Sequence, residues 1–157
     1  VLACFAACAA PLAAQFPAYV LDAAQTNDLY GLHPSTGHTV PIGPAAQGDL
    51  SGAFDLAWRN DTRELWCIDN SDGDIGTLSA ATAVFARSTS LGLHGWYGIA
   101  WDASASLFYL SIDFPIGGTR QGRLYTYEPR SRQAQLVGLL PQTGFFALDC
   151  DANGQLW

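Results

Sequence analysis

The sequence contains no lysine and no methionine, and charged residues make up only 13% of its 157 residues. All seven cationic side chains are therefore arginines, while fourteen acidic side chains give a net charge of −7. Binding through nucleic-acid phosphates requires a basic surface, so this balance argues against nucleic acid as a partner. Because valine stands at position 1, where a gene start would place methionine, and the chain ends on a tryptophan, we expect a fragment of a longer protein.

The chain begins with an apolar run that is too short to cross a bilayer. Residues 1–14, VLACFAACAAPLAA, carry no charge, but a membrane helix needs about 20 apolar residues and Pro11 interrupts the run. This pattern is typical of a signal-peptide remnant, the apolar core and small-residue exit of a secretory leader. The alternatives are a buried N-terminal helix and, from Cys8 after Phe-Ala-Ala, a lipoprotein attachment site. We expect a secreted or periplasmic protein that has no membrane span after leader removal.

Cysteine is too sparse for a disulfide framework. Cys4 and Cys8 lie in the predicted leader, and Cys67 and Cys150 stand far apart in apolar strand contexts. We predict that the latter two are small buried side chains. The sequence has no CxxC pair, no Cys/His cluster, no G-x-S-x-G nucleophile elbow and no phosphate-binding loop, so it carries no zinc or hydrolase signature of these kinds.

An apolar phrase that includes a turn occurs three times. YGIAWDASASLF at 97–108 aligns without a gap with FALDCDANGQLW at 146–157. FDLAWRNDTRELW at 54–66 aligns with them after one extra turn residue, so that Leu65 matches Leu107. Asp102 begins the turn in its copy, and its recurrence indicates a structural role in which the carboxylate accepts backbone N–H bonds.

A second phrase lies between these copies. DLYGLHPSTGHTVPIG at 28–43 aligns with RLYTYEPRSRQAQLVG at 123–138, and GTLSAATAVFARSTSLG at 76–92 is a weaker copy with a short insertion. Aromatic and aliphatic runs alternate with turn-forming clusters, which predicts short antiparallel strands. Residues 107–112 carry apolar side chains on both alternating faces, which indicates a strand covered on both sides.

Four short antiparallel strands in each unit, covered on both faces, describe a blade of a β-propeller. The phrases Leu29–Gly43 and Gly98–Tyr109 resemble the LY-x-L-x-P-x-T-G repeats of secreted bacterial β-propeller proteins. The predicted fold is all-β, a partial β-propeller of four-stranded antiparallel blades over residues 15–157. Its three repeats are 26–69, 70–113 and 114–157, and a β-sandwich of similar hairpins is the alternative fold.

One acidic turn is a candidate calcium site. DNSDGDIG at 69–76 places Asp69, Asn70, Asp72 and Asp74 close together, and calcium requires several oxygen ligands. The pattern does not match an EF-hand loop, because Ile75 stands where glycine is required. An ordinary solvated turn is the alternative.

Two further places are candidates for ligand recognition. Four of the five tryptophans fall at repeat positions, where a core between blades is predicted, whereas Trp96 lies outside them. Trp96 and Tyr97 are therefore the aromatic residues predicted to bind a ligand. Arg120 lies in FPIGGTRQG at 114–122, an insertion predicted to form a mobile loop.

Taken as a whole, the sequence predicts a non-catalytic, extracytoplasmic binding or interaction propeller. Its partner would be an unidentified protein, peptide or glycan, and calcium is the only candidate cofactor. The first alternative is a calcium-dependent propeller hydrolase or lactonase, which needs carboxylates or amides from several blades around one axis. The second is a carbohydrate-binding propeller lectin that uses exposed aromatic side chains.

Overall fold

The computed structural model describes residues 18–22, 27–45, 50–116, 119–141 and 147–157, with no account of the side chains of 114–116 and 119. All regular elements within these ranges are β-strands, and no helix capable of crossing a membrane is found in them. The predicted leader, residues 1–14, lies outside the described residues. Its assignment stays a prediction.

The first sheet, sheet A, has three antiparallel strands in chain order. Short runs of tyrosine, leucine and valine form these strands, because such side chains pack well on a pleated surface. A four-residue turn, 34–37, joins the second strand to the third. The strands are β1 Ala18–Asp22, β2 Asp28–His33 and β3 His38–Pro44.

The second sheet, sheet B, has four antiparallel strands, again in chain order. Its two central strands are almost wholly buried, because both of their faces are covered. The strands are β4 Ala53–Arg59, β5 Glu64–Asp69, β6 Asp74–Leu78 and β7 Phe85–Ser90.

The third sheet, sheet C, repeats this arrangement with two longer central strands. The strands are β8 Trp96–Asp102, β9 Leu107–Ile116, β10 Thr119–Glu128 and β11 Gln133–Leu139. After this sheet, an antiparallel bridge between Cys150 and Leu156 closes a further hairpin.

Sheets B and C have the same hydrogen-bond register in their first hairpin. A bulge lies between Ala53 and Asp55 in β4, and another lies between Trp96 and Gly98 in β8. The turns 60–63 and 103–106 have equal length, so the extra turn residue expected from the alignment is absent. Leu65 faces Trp58 as Phe108 faces Trp101, which makes Phe108, not Leu107, the counterpart of Leu65.

The last two strands of all three sheets also share one register. Bulges follow Leu29 in β2, Ile75 in β6 and Leu124 in β10. The turn of each hairpin contains one residue with left-handed backbone at the same place, Gly37 (φ 69°), Ala83 (φ 57°) and Arg132 (φ 58°). The middle turn therefore has no insertion, contrary to the expectation from 76–92. By this correspondence, sheet A consists of the second, third and fourth strands of the pattern.

The predicted insertion at 114–122 lengthens a hairpin. Ser111 faces Leu124, and the ladder between β9 and β10 continues to the pair Ile116 and Thr119. The expectation of a loop is wrong for the described part of this segment, because its backbone is paired as strand. The added residues extend the hairpin between β9 and β10. This hairpin corresponds to the one in sheet B that ends in the turn 70–73.

Sheet B is packed on both faces, which distinguishes this array from a two-sheet sandwich. Alternate residues of β5 point to opposite sides: Leu65 and Cys67 join a core with sheet A, while Trp66 and Ile68 join a core with sheet C. The first strands of sheets B and C contact each other directly, and β1 contacts β4. Successive sheets thus stack face to face, with the first strands of sheets B and C side by side, and the fold is a partial β-propeller, as predicted.

The predicted repeats share the period of the sheets but not their boundaries. The division at 69 and 70 falls between β5 and β6, and the division at 113 and 114 falls within β9. Each predicted repeat therefore joins the third and fourth strands of one sheet to the first and second strands of the next. The repeat boundaries stay predictions.

Candidate functional site

Two edges of the sheets are distinguished below. The hairpin edge holds the turns after β2, β4, β6, β8 and β10, and the opposite linker edge holds the turn after β5 and the connection from β7 to β8. The residues predicted to bind calcium or a ligand lie at the linker edge or close to it. The two cavities described below are lined in part by residues of the hairpin edge.

Asp69, the first of the predicted calcium ligands, is fully buried and bonded to backbone. Its Oδ2 accepts hydrogen bonds from the backbone N–H groups of Ser51 at 2.7 Å and Gly52 at 3.0 Å. Its Oδ1 accepts from the backbone N–H groups of Ser71 at 2.6 Å and Asp72 at 3.1 Å. Because four donors already surround this carboxylate, it fixes the turn after β5 against the chain that enters β4.

The other three predicted calcium ligands point to separate partners. Asn70 donates from Nδ2 to the carbonyl of Trp96 at 2.8 Å, and Asp72 Oδ2 accepts from Ser51 Oγ at 2.6 Å. Asp74 is buried and forms an ion pair with Arg87 at 3.0 Å. In the described ranges, no group of three or more acidic, histidine or cysteine side chains is arranged to hold a metal ion.

The aromatic residues predicted to bind a ligand are packed inside the protein. Trp96 is 1% exposed and donates from Nε1 to the carbonyl of Leu93 at 2.9 Å. An indole buried this deeply cannot stack on a ligand, so Trp96 is a core residue, which corrects the expectation. Tyr97 is half-buried and packs edge-on against Phe54 with ring centroids 5.0 Å apart.

Arg120 is exposed on the lengthened hairpin. Its Nη1 lies 3.5 Å from Oδ2 of Asp113, a nearly buried carboxylate. Arg120, like Trp96 and Tyr97, lies at or close to the linker edge. Its role in binding stays a prediction.

Two of the four tryptophans at repeat positions differ from the expected burial. Trp66 and Trp101 are buried as expected, but Trp58 is 41% exposed and Trp157 is 70% exposed. Trp58 stacks on Tyr19 of sheet A, with centroids 6.1 Å apart and planes inclined by 20°. The open aromatic surface therefore lies on the first strand of sheet B.

A cavity of about 340 Å³ lies between the first strands of sheets B and C and the segment 148–152. Its apolar wall includes Trp58 and Trp101, and its polar side includes Asn60, Asp149 and Asp151. Asn60 Oδ1 accepts from Trp101 Nε1 at 3.2 Å, which holds both side chains in place. We refer to this space as the inner cavity.

Asp151 and Cys150 line the inner cavity, and each has a counterpart elsewhere in the chain that the sequence also described. Asp151 Oδ1 accepts from the backbone N–H groups of Asn153 and Gln155, both at 2.9 Å, and these bonds lower its pKa. Asp102 holds its turn in the same way, so the structural role predicted for it is confirmed. Cys150 lines the cavity and is only partly buried, which differs from the prediction, whereas Cys67 is fully buried as predicted.

Asp55 is an acidic residue beside the inner cavity that the sequence interpretation missed. Its Oδ2 accepts from the backbone N–H of Ile99 at 2.9 Å, and the carboxylate also bonds the backbone N–H groups of Leu56 and Leu148. Burial raises the pKa of Asp55 to about 6 against the effect of these bonds, with a smaller contribution from the negative charge of Asp149. Asp55 thus joins three chain segments that meet at the cavity.

A signal for Asp55 was present in the sequence. Gly98 occupies the corresponding position of β8, after the same bulge. Asp55 therefore carries a carboxylate where the matching residue of sheet C has no side chain. This difference breaks the sequence repeat. Such a departure marks a position that packing alone does not explain.

No family model matches the chain, and no curated protein matches it. Among solved structures, one of a nidogen/laminin complex has a TM-score of 0.68 at 16% identity, covering 88% of this chain and 50% of that chain. An auxiliary nutrient-binding protein from Bacteroides ovatus has a TM-score of 0.51 at 12% identity, covering 87% of this chain and 32% of its own. The Dos1 propeller has a TM-score of 0.44 at 16% identity, with coverages of 81% and 35%. At these identities the likeness is one of fold, and the chain spans about half of the first of these chains.

Proposed function

We propose that this chain is part of a non-catalytic, extracytoplasmic binding propeller whose ligand enters the inner cavity. One observation carries the proposal: Trp58, a large aromatic side chain, is 41% exposed in the wall of a cavity formed by three successive segments of the array. Binding sites in proteins are concave, mostly apolar and supplied with a few polar groups, and this cavity has that composition. The nutrient-binding protein of similar fold is compatible with such a role.

The ligand class follows from the side chains. An exposed indole offers a flat apolar face, and Asp149 and Asn60 offer acceptors at its side. Sugar rings and peptide side chains both match this combination of a flat surface and hydrogen-bond acceptors. The proposed ligand is therefore a peptide or glycan segment, and the lectin function is one form of the same proposal.

Cys150 provides a direct test of the site. Cys150 lines the inner cavity, and Cys67 is fully buried. Burial raises the pKa of both thiols, so alkylation by iodoacetamide at pH 8 is expected to be slow at Cys150 and slower still at Cys67. A ligand found on a glycan or peptide array should slow the alkylation of Cys150 at least severalfold, with peptide mass spectrometry to identify each thiol.

The control uses two exposed tryptophans. W58A should abolish binding of that ligand, while W157A changes a more exposed indole that does not line the cavity and should leave binding intact. Equal losses in both variants, or unchanged alkylation of Cys150 with ligand bound, would place the ligand elsewhere.

A hydrolase remains the second candidate, and Asp55 is the observation that favours it. A carboxyl group with a pKa of about 6 can exchange a proton near neutral pH, as a general acid or base must. Turnover of lactones and esters by the wild type that disappears in D55N, with folding unchanged, would replace the binding function by this one.

A further inference from the structure

Arginines are concentrated in one groove between sheets B and C. Of the seven cationic side chains in this acidic chain, four line a groove of about 360 Å³ at the hairpin edge. Glu64 is the acidic residue in its lining. The four arginines are Arg59, Arg87, Arg130 and Arg132.

Arg59 is fixed in place and largely neutralised. Its Nε lies 2.8 Å from Oδ1 of Asp61 and its Nη2 lies 3.0 Å from Oδ2, which is a bidentate pair. Its guanidinium also lies 4.6 Å from the ring centroid of Trp101. Arg59 therefore forms a rigid part of the wall.

Arg87 and the turn after β10 present the accessible charge. Arg87 Nη1 is held by Asp74 Oδ2 at 3.0 Å, yet 47% of the Arg87 side chain is exposed. Arg130 and Arg132 are exposed on the turn 129–132, and neither forms an ion pair with a residue of the described ranges. Positive charge from two neighbouring sheets thus faces one groove.

The turn that carries Arg130 and Arg132 is ordered by its own bonds. The backbone N–H of Arg132 donates to the carbonyl of Glu128 at 2.9 Å, and Ser131 Oγ donates to Oε2 of Glu128 at 2.6 Å. The two walls of the groove are joined by a hydrogen bond of 3.0 Å between Ser88 Oγ and Tyr127 Oη. These bonds order the backbone that carries Arg130 and Arg132 before any ligand binds, which reduces the ordering cost of binding.

We propose that this groove binds a small polyanion with at least two carboxylate or phosphate groups. The guanidinium group matches the geometry of both oxyanions with two parallel N–H bonds, and an ion in such a pair is bound more strongly than a neutral acceptor. The hydroxyl of Thr77, which also lines the groove, adds a neutral donor. The volume lies near the lower end of the roughly 300–1,000 Å³ range of small-molecule sites.

The test measures binding of citrate and of pyrophosphate by calorimetry at fixed ionic strength and pH 7.5. Citrate and pyrophosphate separate the carboxylate form of the ligand from the phosphate form. The double variant R130Q/R132Q should weaken the binding of the preferred anion by at least about tenfold, since two charged bonds are lost. The matched control R120Q removes one exposed arginine at the opposite edge and should change binding less than about twofold.

R87Q gives a second reading that does not depend on the turn. R87Q removes a charge from the opposite wall of the groove and should also weaken binding of the anion. Circular dichroism would establish that each variant is folded. Absence of saturable heat with both anions at millimolar concentration would overturn the proposal. So would a loss in R120Q about half as large, on a logarithmic scale, as the loss in R130Q/R132Q, because each charge would then count equally wherever it lies.

Discussion

At the scale of single residues, Asp55 links charge to stability. Its carboxyl group has a pKa of about 6 in the folded chain, above the ordinary value of 3.8. The protonated form is therefore favoured by folding. The contribution of this group to the free energy of unfolding is fully present below about pH 4 and is lost as the pH rises through about 6.

The prediction compares the wild type with D55N between pH 7.5 and pH 4. A difference of about two pKa units corresponds to roughly 3 kcal/mol at most, so the wild type should gain up to that amount relative to D55N on acidification. Urea unfolding followed by tryptophan fluorescence measures both proteins. Exposed carboxylates contribute equally to the pH dependence of both proteins, so their contributions cancel in the comparison. Asp61 is one of them, and its hydrogen bond with Arg59 lowers its pKa.

D149N provides the control for the electrostatic part of this effect. Asp149 contributes to the raised pKa of Asp55 by its negative charge, so its removal should lower that pKa. The pH range over which protonation of Asp55 adds stability should then be narrower. A free-energy difference between wild type and D55N that is flat from pH 4 to pH 7.5 would contradict the assignment.

Residue identity also explains which parts of the candidate site the sequence could predict. Asp102 was interpreted correctly because its hydrogen bonds are local, to residues two and three positions later. The bonds of Asp69 could not be predicted from its turn alone, because two of its donor residues, Ser51 and Gly52, come from a distant part of the chain. Trp96 was expected to be exposed and is buried, whereas Trp58 was expected to be buried and is exposed. Burial depends on which sheet covers which face, and the alignment of the repeats does not specify this.

At the scale of strands, β6 and β7 approach each other too closely at one point to admit a side chain. A Cβ added to Gly76 would lie 2.2 Å from the carbonyl oxygen of Ala86 and 2.9 Å from the Cα of Arg87. Both contacts are with backbone of the paired strand, which cannot move without breaking the ladder. Gly76 also follows the bulge that this hairpin shares with those of sheets A and C.

We therefore predict that G76A lowers the free energy of unfolding by about 3 kcal/mol or more, the upper part of the range for overpacking. G138A in β11 is the matched control, since a Cβ there would meet no atom within 4 Å. That variant should be neutral or slightly stabilising, because alanine restricts the unfolded chain more than glycine does. Equal stabilities of the two variants in urea would refute the prediction.

The strands themselves were predictable, and their pairing was less so. Aromatic and aliphatic runs between turn formers indicated β-structure and the stacked arrangement. Alignment by residue type matched Leu65 to Leu107, whereas hydrogen-bond register matches Leu65 to Phe108. Leucine and phenylalanine are interchangeable in such a strand, so composition does not specify a shift of one residue, although the shift reverses which side chains face the core.

At the scale of the whole molecule, stability resides in the two cores on either side of sheet B. Phe108 lies at the centre of the core between sheets B and C. It is fully buried and contacts Trp66 and Trp101, each with ring centroids 4.8 Å from its own. Tyr109, the next residue, points to the other face of sheet C and is only half-buried.

F108A should lower the free energy of unfolding by about 3–5 kcal/mol, as is usual for removal of a buried phenylalanine ring. Y109A should cost distinctly less, since its ring faces away from that core. Because Trp66 and Trp101 report on the same interface, fluorescence and circular dichroism should show one coincident transition in each protein. A loss in Y109A that equals the loss in F108A would mean that the two faces of sheet C are packed alike.

The position of β5 has a consequence for communication across the array. In the described ranges, no strand of sheet A contacts a strand of sheet C, and each meets only sheet B. Neighbouring side chains of one strand, Trp66 and Cys67, belong to the two opposite cores. A displacement of a fraction of an ångström on one side of this single strand is thus delivered to the other side with no intervening layer to absorb it. This strand therefore offers a direct steric route between the outer sheets, beside the route through β1, β4 and β8.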